Sequence, residues 1–220
     1  MSNPDSFIDE VNEELKRDRL FALMRKWGWV AVLGVVVLVG GAAVNEWRKA
    51  QAESRARAFG DAVIGALEPE DLAARRAALA VIDADGARAG ILNLLLAATE
   101  LEAQNRPAAL AVLASVAADA SLPASYRQIA QLKRVILGGT DLPLAERETA
   151  LQALAAPGQT FRALALEQLA LLALERGDSA GALAQAQALL QEPEITDTLR
   201  RRVLQVIVVL GGEPPAVDRG

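Results

Sequence analysis

The residue types that usually carry catalysis are absent from this chain: it contains no histidine and no cysteine among its 220 residues. That removes the commonest general base, the commonest metal ligand and every thiol mechanism. Carboxylates remain, and Asp83 with Asp85 or Glu146 with Glu148 are the nearest pairs. Residues two apart on a helix point in different directions, and no glycine-rich phosphate loop accompanies them. They read as solvated surface acids, so the sequence predicts no catalytic residue, no metal ligand and no cofactor, and a protein that is not an enzyme. What the side chains could do instead is bind apolar surface. Ile91, Leu94, Ala98 and Leu101 share one face of a predicted helix, as do Leu164, Leu171 and Leu174 of another. If those helices stack side by side, the two sets line a groove able to receive an extended or helical segment of another protein.

The elements that would position such a groove recur at a near-fixed interval. Pro107, Pro143 and Ser179 each open an Ala/Leu-rich helix and lie 36 residues apart. The helices preceding them start near Arg88, Pro123, Thr160 and Thr196, at intervals of 35, 37 and 36. Two interleaved series with one period describe stacked helix pairs. Asn105-Arg106, Gly138-Gly139, Pro157-Gly158 and Gly177-Asp178 supply the breaks. An earlier pair is expected at roughly 47 to 67 and 69 to 84, and a lone last helix, about 196 to 210, suits the capping element of a solenoid.

The stretch from Thr160 to Pro193 resembles a tetratricopeptide repeat. Leu166, Leu169, Ala170, Ala173, the turn Gly177-Asp178, Ala182, Ala186, Leu189 and Pro193 stand at that pattern's spacing. The unit from Arg88 keeps Leu96, Ala97, Ala109, Leu113 and Val116 in register but has Gln104 where the turn glycine belongs. The expected fold is therefore all-α: one N-terminal transmembrane helix followed by a tetratricopeptide-like solenoid.

The transmembrane helix is the run Trp27 to Val44, eighteen residues without a charge, bracketed by Trp27, Trp29 and Trp47. At about 1.5 Å per residue it spans roughly 27 Å, close to a bilayer's hydrocarbon thickness. The three tryptophans then fall at the two headgroup levels. A cleaved signal peptide fits poorly, since the apolar run exceeds the roughly 7–15 residues of a signal core. Before it, Asn3 and Pro4 suit the start of a short helix on which Phe7, Val11 and Leu15 share a face, either an amphipathic docking helix or a plain helical extension of the anchor. The organisation read from this is a cytoplasmic segment 1–26, a transmembrane helix 27–45, a helical-repeat domain 46–210 and a disordered tail 211–220.

Charge narrows the partners. Of 23 Lys+Arg and 28 Asp+Glu, five and six precede Glu46, so the remainder carries 18 bases against 22 acids and no polybasic surface for nucleic acid. Arg200, Arg201 and Arg202 form a local basic patch on the last predicted helix. Lys16, Arg17, Arg19, Arg25 and Lys26 lie against the anchor, which leans towards a cytoplasmic N-terminus and a translocated C-terminal domain.

The layout, SFIDEVNEELKRDRLFALMRKWGW, one anchor, an NEWRKAQ exit and a degenerate repeat domain, resembles the YfgM-type ancillary subunits of the bacterial SecYEG translocon. The resemblance implies an inner-membrane protein with a periplasmic repeat domain, association with the translocon, and handover of secreted chains to chaperones. The residues themselves leave a structural or assembly role in another inner-membrane complex, such as a respiratory enzyme, as the alternative, and leave a homodimer open.

Overall fold

The computed structural model describes residues 4–193 and 195–213, with side chains from Met24 onward except Ala31 and Val32. All regular structure among these residues is helical. Two compact units divide at Gly60 and Asp61.

The first unit is one helix. α1 runs unbroken over Pro4–Leu67, its last residues belonging to the second unit. Of the two readings of the segment before Trp27, the structure has the helical extension of the anchor: no proline or internal glycine interrupts Asp5 to Lys26, so nothing stops the helix from continuing into the anchor. Asn3 and the residues from Pro214 onward, where the tail was placed, lie outside the described residues, as do the side chains of Phe7, Val11 and Leu15. Within α1 an 18-residue window reaches a mean hydropathy of 2.2 with none of it buried, so this helix is long and apolar enough to cross a membrane. Trp27, Trp29 and Trp47 are all exposed on it.

The second unit strings together α2 (Leu72–Ala80), α3 (Gly86–Glu102), α4 (Arg106–Ala118), α5 (Ala124–Gly138), α6 (Leu144–Leu154), α7 (Arg162–Glu175), α8 (Ser179–Leu189) and α9 (Asp197–Val209). Each packs on the next in sequence, and α3 also meets α5. Helix starts follow cap chemistry: the side chains of Asp71, Asn105, Asp178 and Thr196 accept bonds from the backbone N–H groups of Ala74, Ala108, Gly181 and Leu199. Two expectations shift accordingly. Asn105-Arg106 opens α4 rather than ending α3, and α2 is shorter than 69 to 84 because Asp71 fixes its start and the chain leaves the helix at Val81.

Helix ends repeat too. Gln104, Gly177 and Gly211 adopt φ of 57°, 80° and 78°. After each, a backbone N–H reaches back five residues: Asn105 to Glu100 at 2.8 Å, Asp178 to Ala173 at 3.0 Å, Gly212 to Ile207 at 2.9 Å. This closes the ends of α3, α7 and α9 with the same left-handed motif. The turn after α5 differs, with Gly139 at φ 49° opening a 3-10 turn, Gly139–Asp141.

Three apolar cores result, each where consecutive helix pairs meet. Ala97, Leu113, Val116, Leu122 and Ala130 join α3, α4 and α5. Leu132, Val135, Leu151, Leu154, Ala165 and Leu172 join α5, α6 and α7. Ala186, Leu189, Leu199, Val203 and Ile207 join α8 and α9. Ala109, Ala130, Ala165, Ala173 and Ala182 are completely buried, which lets helix backbones approach closely where larger side chains would hold them apart.

Candidate partner-binding cleft

The second expected set lies along α7 beside these cores, with Leu171 and Leu174 exposed and Leu164 half-buried against two of them. Burying Ala165, Ala170, Leu172 and Ala173 leaves Leu164, Leu171 and Leu174 on the remaining side, seven and three residues apart. On α9, Leu199, Val203 and Ile207 are buried at four-residue spacing, which turns Arg202, Val206 and Val209 towards α7. With Ile136 of α5 and Leu210 these side chains wall an open cleft of about 510 Å³. Gln168 of α7 and Gln205 of α9 supply neutral donors and acceptors.

One ion pair joins the walls. The Arg202 guanidinium donates through Nε to Glu167 Oε1 and through Nη2 to Oε2, both at 2.8 Å. Such a fork fixes α9 against α7 in one register. Glu167 is nearly buried (10% side-chain exposure) while Arg202 stays 47% exposed, so the bond neutralises a carboxylate in the wall and leaves part of the guanidinium at the rim. Of the three consecutive arginines only Arg202 is tied this way among the described residues; Arg200 and Arg201 are exposed.

The other expected set does not reach the cleft. Ile91, Ala98 and Leu101 are exposed on α3, whereas Leu94 is half-buried and packs into the core shared with α4 and α5. Leu164 is likewise half-buried, touching two cores as well as the cleft. Sequence reasoning missed Ile136, Val206, Val209 and Leu210. A signal for the exposed row was present: Leu101, Ile136, Leu174 and Val208 each stand three residues before a left-handed residue, and each is exposed.

The carboxylate pairs considered first are engaged separately. Glu146 bonds Arg134 at 2.6 Å, Glu148 bonds Arg176 at 2.8 Å, and Asp85 meets Arg88. The Asp85 contact is local to the start of α3, whereas the other two belong to a ladder of arginine–carboxylate bonds between neighbouring elements that also includes Arg75–Glu102, Arg147–Glu175 and Arg162–Glu192. Hydrogen bonds from Arg147 and Arg162 hold the carboxyls of Glu175 and Glu192 below their ordinary value of 4.5. No family model, curated protein or solved structure matches the chain.

Proposed function

We propose that the protein is a non-enzymatic adaptor, anchored in a bacterial inner membrane by α1, whose tetratricopeptide-like helical stack binds other proteins in the periplasm. The observation that carries this reading is the open apolar cleft on the first-helix face of the stack, in a chain with one helix fit to span a membrane. Apolar side chains left exposed along successive helices have an energetic cost in water, and a contiguous set of them marks a surface that is covered by something else. The repeat reading draws support from helix pairs near a 36-residue period, from the recurring left-handed ends at Gln104 and Gly177, and from the three cores at pair junctions.

The resemblance of the N-terminal third to translocon ancillary subunits makes secreted chains at the Sec translocon the first clients to test. A photo-crosslinker at Leu171 is expected to capture secreted polypeptides, and the purified protein to carry translocon subunits. Capture of nothing there, with translocon subunits missing, overturns the proposal, and stoichiometric association with another inner-membrane complex replaces it. A reporter active only in the periplasm, fused after Gly220, is expected to be active; a silent but expressed fusion reverses the orientation.

A further inference from the structure

The two ends of the candidate span in α1 are built alike but charged differently. Arg25 and Lys26 precede Trp27 and Trp29 at one end, and Arg48 and Lys49 follow Trp47 at the other. Lys26 and Arg48 stand 22 residues apart on one unbroken helix. At about 1.5 Å per residue that is about 33 Å, which places both basic pairs just outside a hydrocarbon core of about 30 Å. All four cations are exposed and none makes an ion pair among the described residues, whereas further along the helix Arg57 meets Glu53 at 3.4 Å. In a bilayer their aliphatic stems lie along the lipid and their charged heads reach the phosphates.

Acids separate the two ends. No carboxylate occurs between Asp18 and Glu46, so Arg25 and Lys26 have no acid of their own chain within two turns after them and none closer than Asp18 before them. At the other end Glu46 stands one turn before Lys49 and Glu53 one turn after it, neighbours on a helix that offset its charge. Each uncompensated Lys or Arg at a bilayer surface favours anionic lipid, so the end before Trp27 selects more strongly. We infer that Arg25 and Lys26 hold the headgroup of an anionic phospholipid against α1, which makes this the lipid-selective end of the anchor. A phosphatidylcholine headgroup offers the same phosphate, but its quaternary ammonium returns a positive charge to the site, whereas an anionic lipid neutralises the pair. The inference rests on the reading of α1 as a membrane anchor and adds to it a choice of lipid.

Trp27, Trp29 and Trp47 are the three tryptophans of the chain, so intrinsic fluorescence reports on this anchor alone. The test places the full chain in vesicles of mixed phosphatidylcholine and phosphatidylglycerol, with one lipid or the other brominated on its acyl chains. Bromine quenches a nearby tryptophan, and the quenching by each lipid gives its share beside the helix. Both leaflets hold the same mixture, so the direction of insertion does not enter. With Trp47→Phe, which leaves Trp27 and Trp29, phosphatidylglycerol is expected to be enriched about fivefold over its bulk share at low salt. With Trp27→Phe and Trp29→Phe, which leave Trp47, the enrichment is expected to be about twofold. Arg25→Gln with Lys26→Gln is expected to return the first signal to bulk composition, Arg25→Lys with Lys26→Arg to keep it, and Glu46→Gln to raise the second. Equal quenching by the two lipids at Trp27 and Trp29, an enrichment that survives the double glutamine variant, or a stronger preference at Trp47 overturns the inference and leaves the anchor in place. Tryptophans that neither lipid quenches overturn it together with the anchor reading.

Discussion

Gln104 is the one described residue other than glycine with positive φ, at 57°. An L side chain in the left-handed region costs about 1–2 kcal/mol, part of which glycine gives back through its greater freedom in the unfolded chain. Gln104→Gly is therefore expected to stabilise the stack by roughly 0.5–1 kcal/mol, seen as a raised thermal midpoint; an unchanged or lowered midpoint contradicts the strain assigned to this turn. Arg147 makes the opposite case. Its side chain is 7% exposed and donates two 2.7 Å bonds to Glu175, itself 40% exposed. Because solvent screens the carboxylate and Arg147 Nε is buried without a partner, Arg147→Met is expected to cost only about 1 kcal/mol at pH 7. The dependence on pH follows from the lowered carboxyls of Glu175 and Glu192: folding favours their charged forms. That stability is fully present above the unfolded carboxyl value and is lost as pH falls through the folded one. Denaturant titrations are expected to show the protein weakening below about pH 4.5, with Arg147→Met and the parent converging there; a constant gap down to pH 3 contradicts it.

At the scale of elements, what was legible and what was not divide by the range of the interaction. Starts near Pro123, Pro143, Ser179 and Thr196 fall within a residue of the observed helices because caps and prolines act on the adjacent turn. Gln104 was recognisable as a turn position from its register with Gly177 alone. The arginine–carboxylate ladder was not: Arg202 and Glu167 are 35 residues apart, and each arginine has several acids at comparable separation, so the choice is made by packing. The cleft was half legible for the same reason, since the face of α7 follows from its own period whereas its covering by α9 depends on tertiary approach. Such approach is set by small residues at the crossings. Gly90 is buried on α3, and a Cβ there would lie 3.0 Å from Tyr126 Cγ of α5. Gly90→Ala sets a propensity gain of about 1 kcal/mol against a tight contact and is expected to be near neutral. Gly90→Leu is expected to cost about 1–3 kcal/mol by forcing Tyr126 aside; a Leu variant as stable as the parent removes the close α3–α5 approach from the account.

For the whole molecule the decisive question is whether α1 is a tether. Trp27 to Val44 holds nine Val or Leu residues and no charged group, so it offers no ion or proton path, and its length and hydropathy suit it to partition into lipid. On insertion scales those nine contribute about −3 to −5 kcal/mol near a helix centre, while each lysine there costs about 2.5–3.5 kcal/mol. Val36→Lys with Leu38→Lys, two positions near the middle of the run, removes two favourable contributions and adds two unfavourable ones, enough to reverse the balance. The expected result is that the doubly substituted chain leaves the membrane fraction on carbonate extraction, whereas Gln205→Lys in the helical stack stays with it. Neither change touches the cores of α3 to α9, so the released protein is expected to retain its helical signal in circular dichroism. Retention of the double variant in the membrane would mean that something other than α1 holds the protein there, and the stack would then have to contain a second membrane-binding surface.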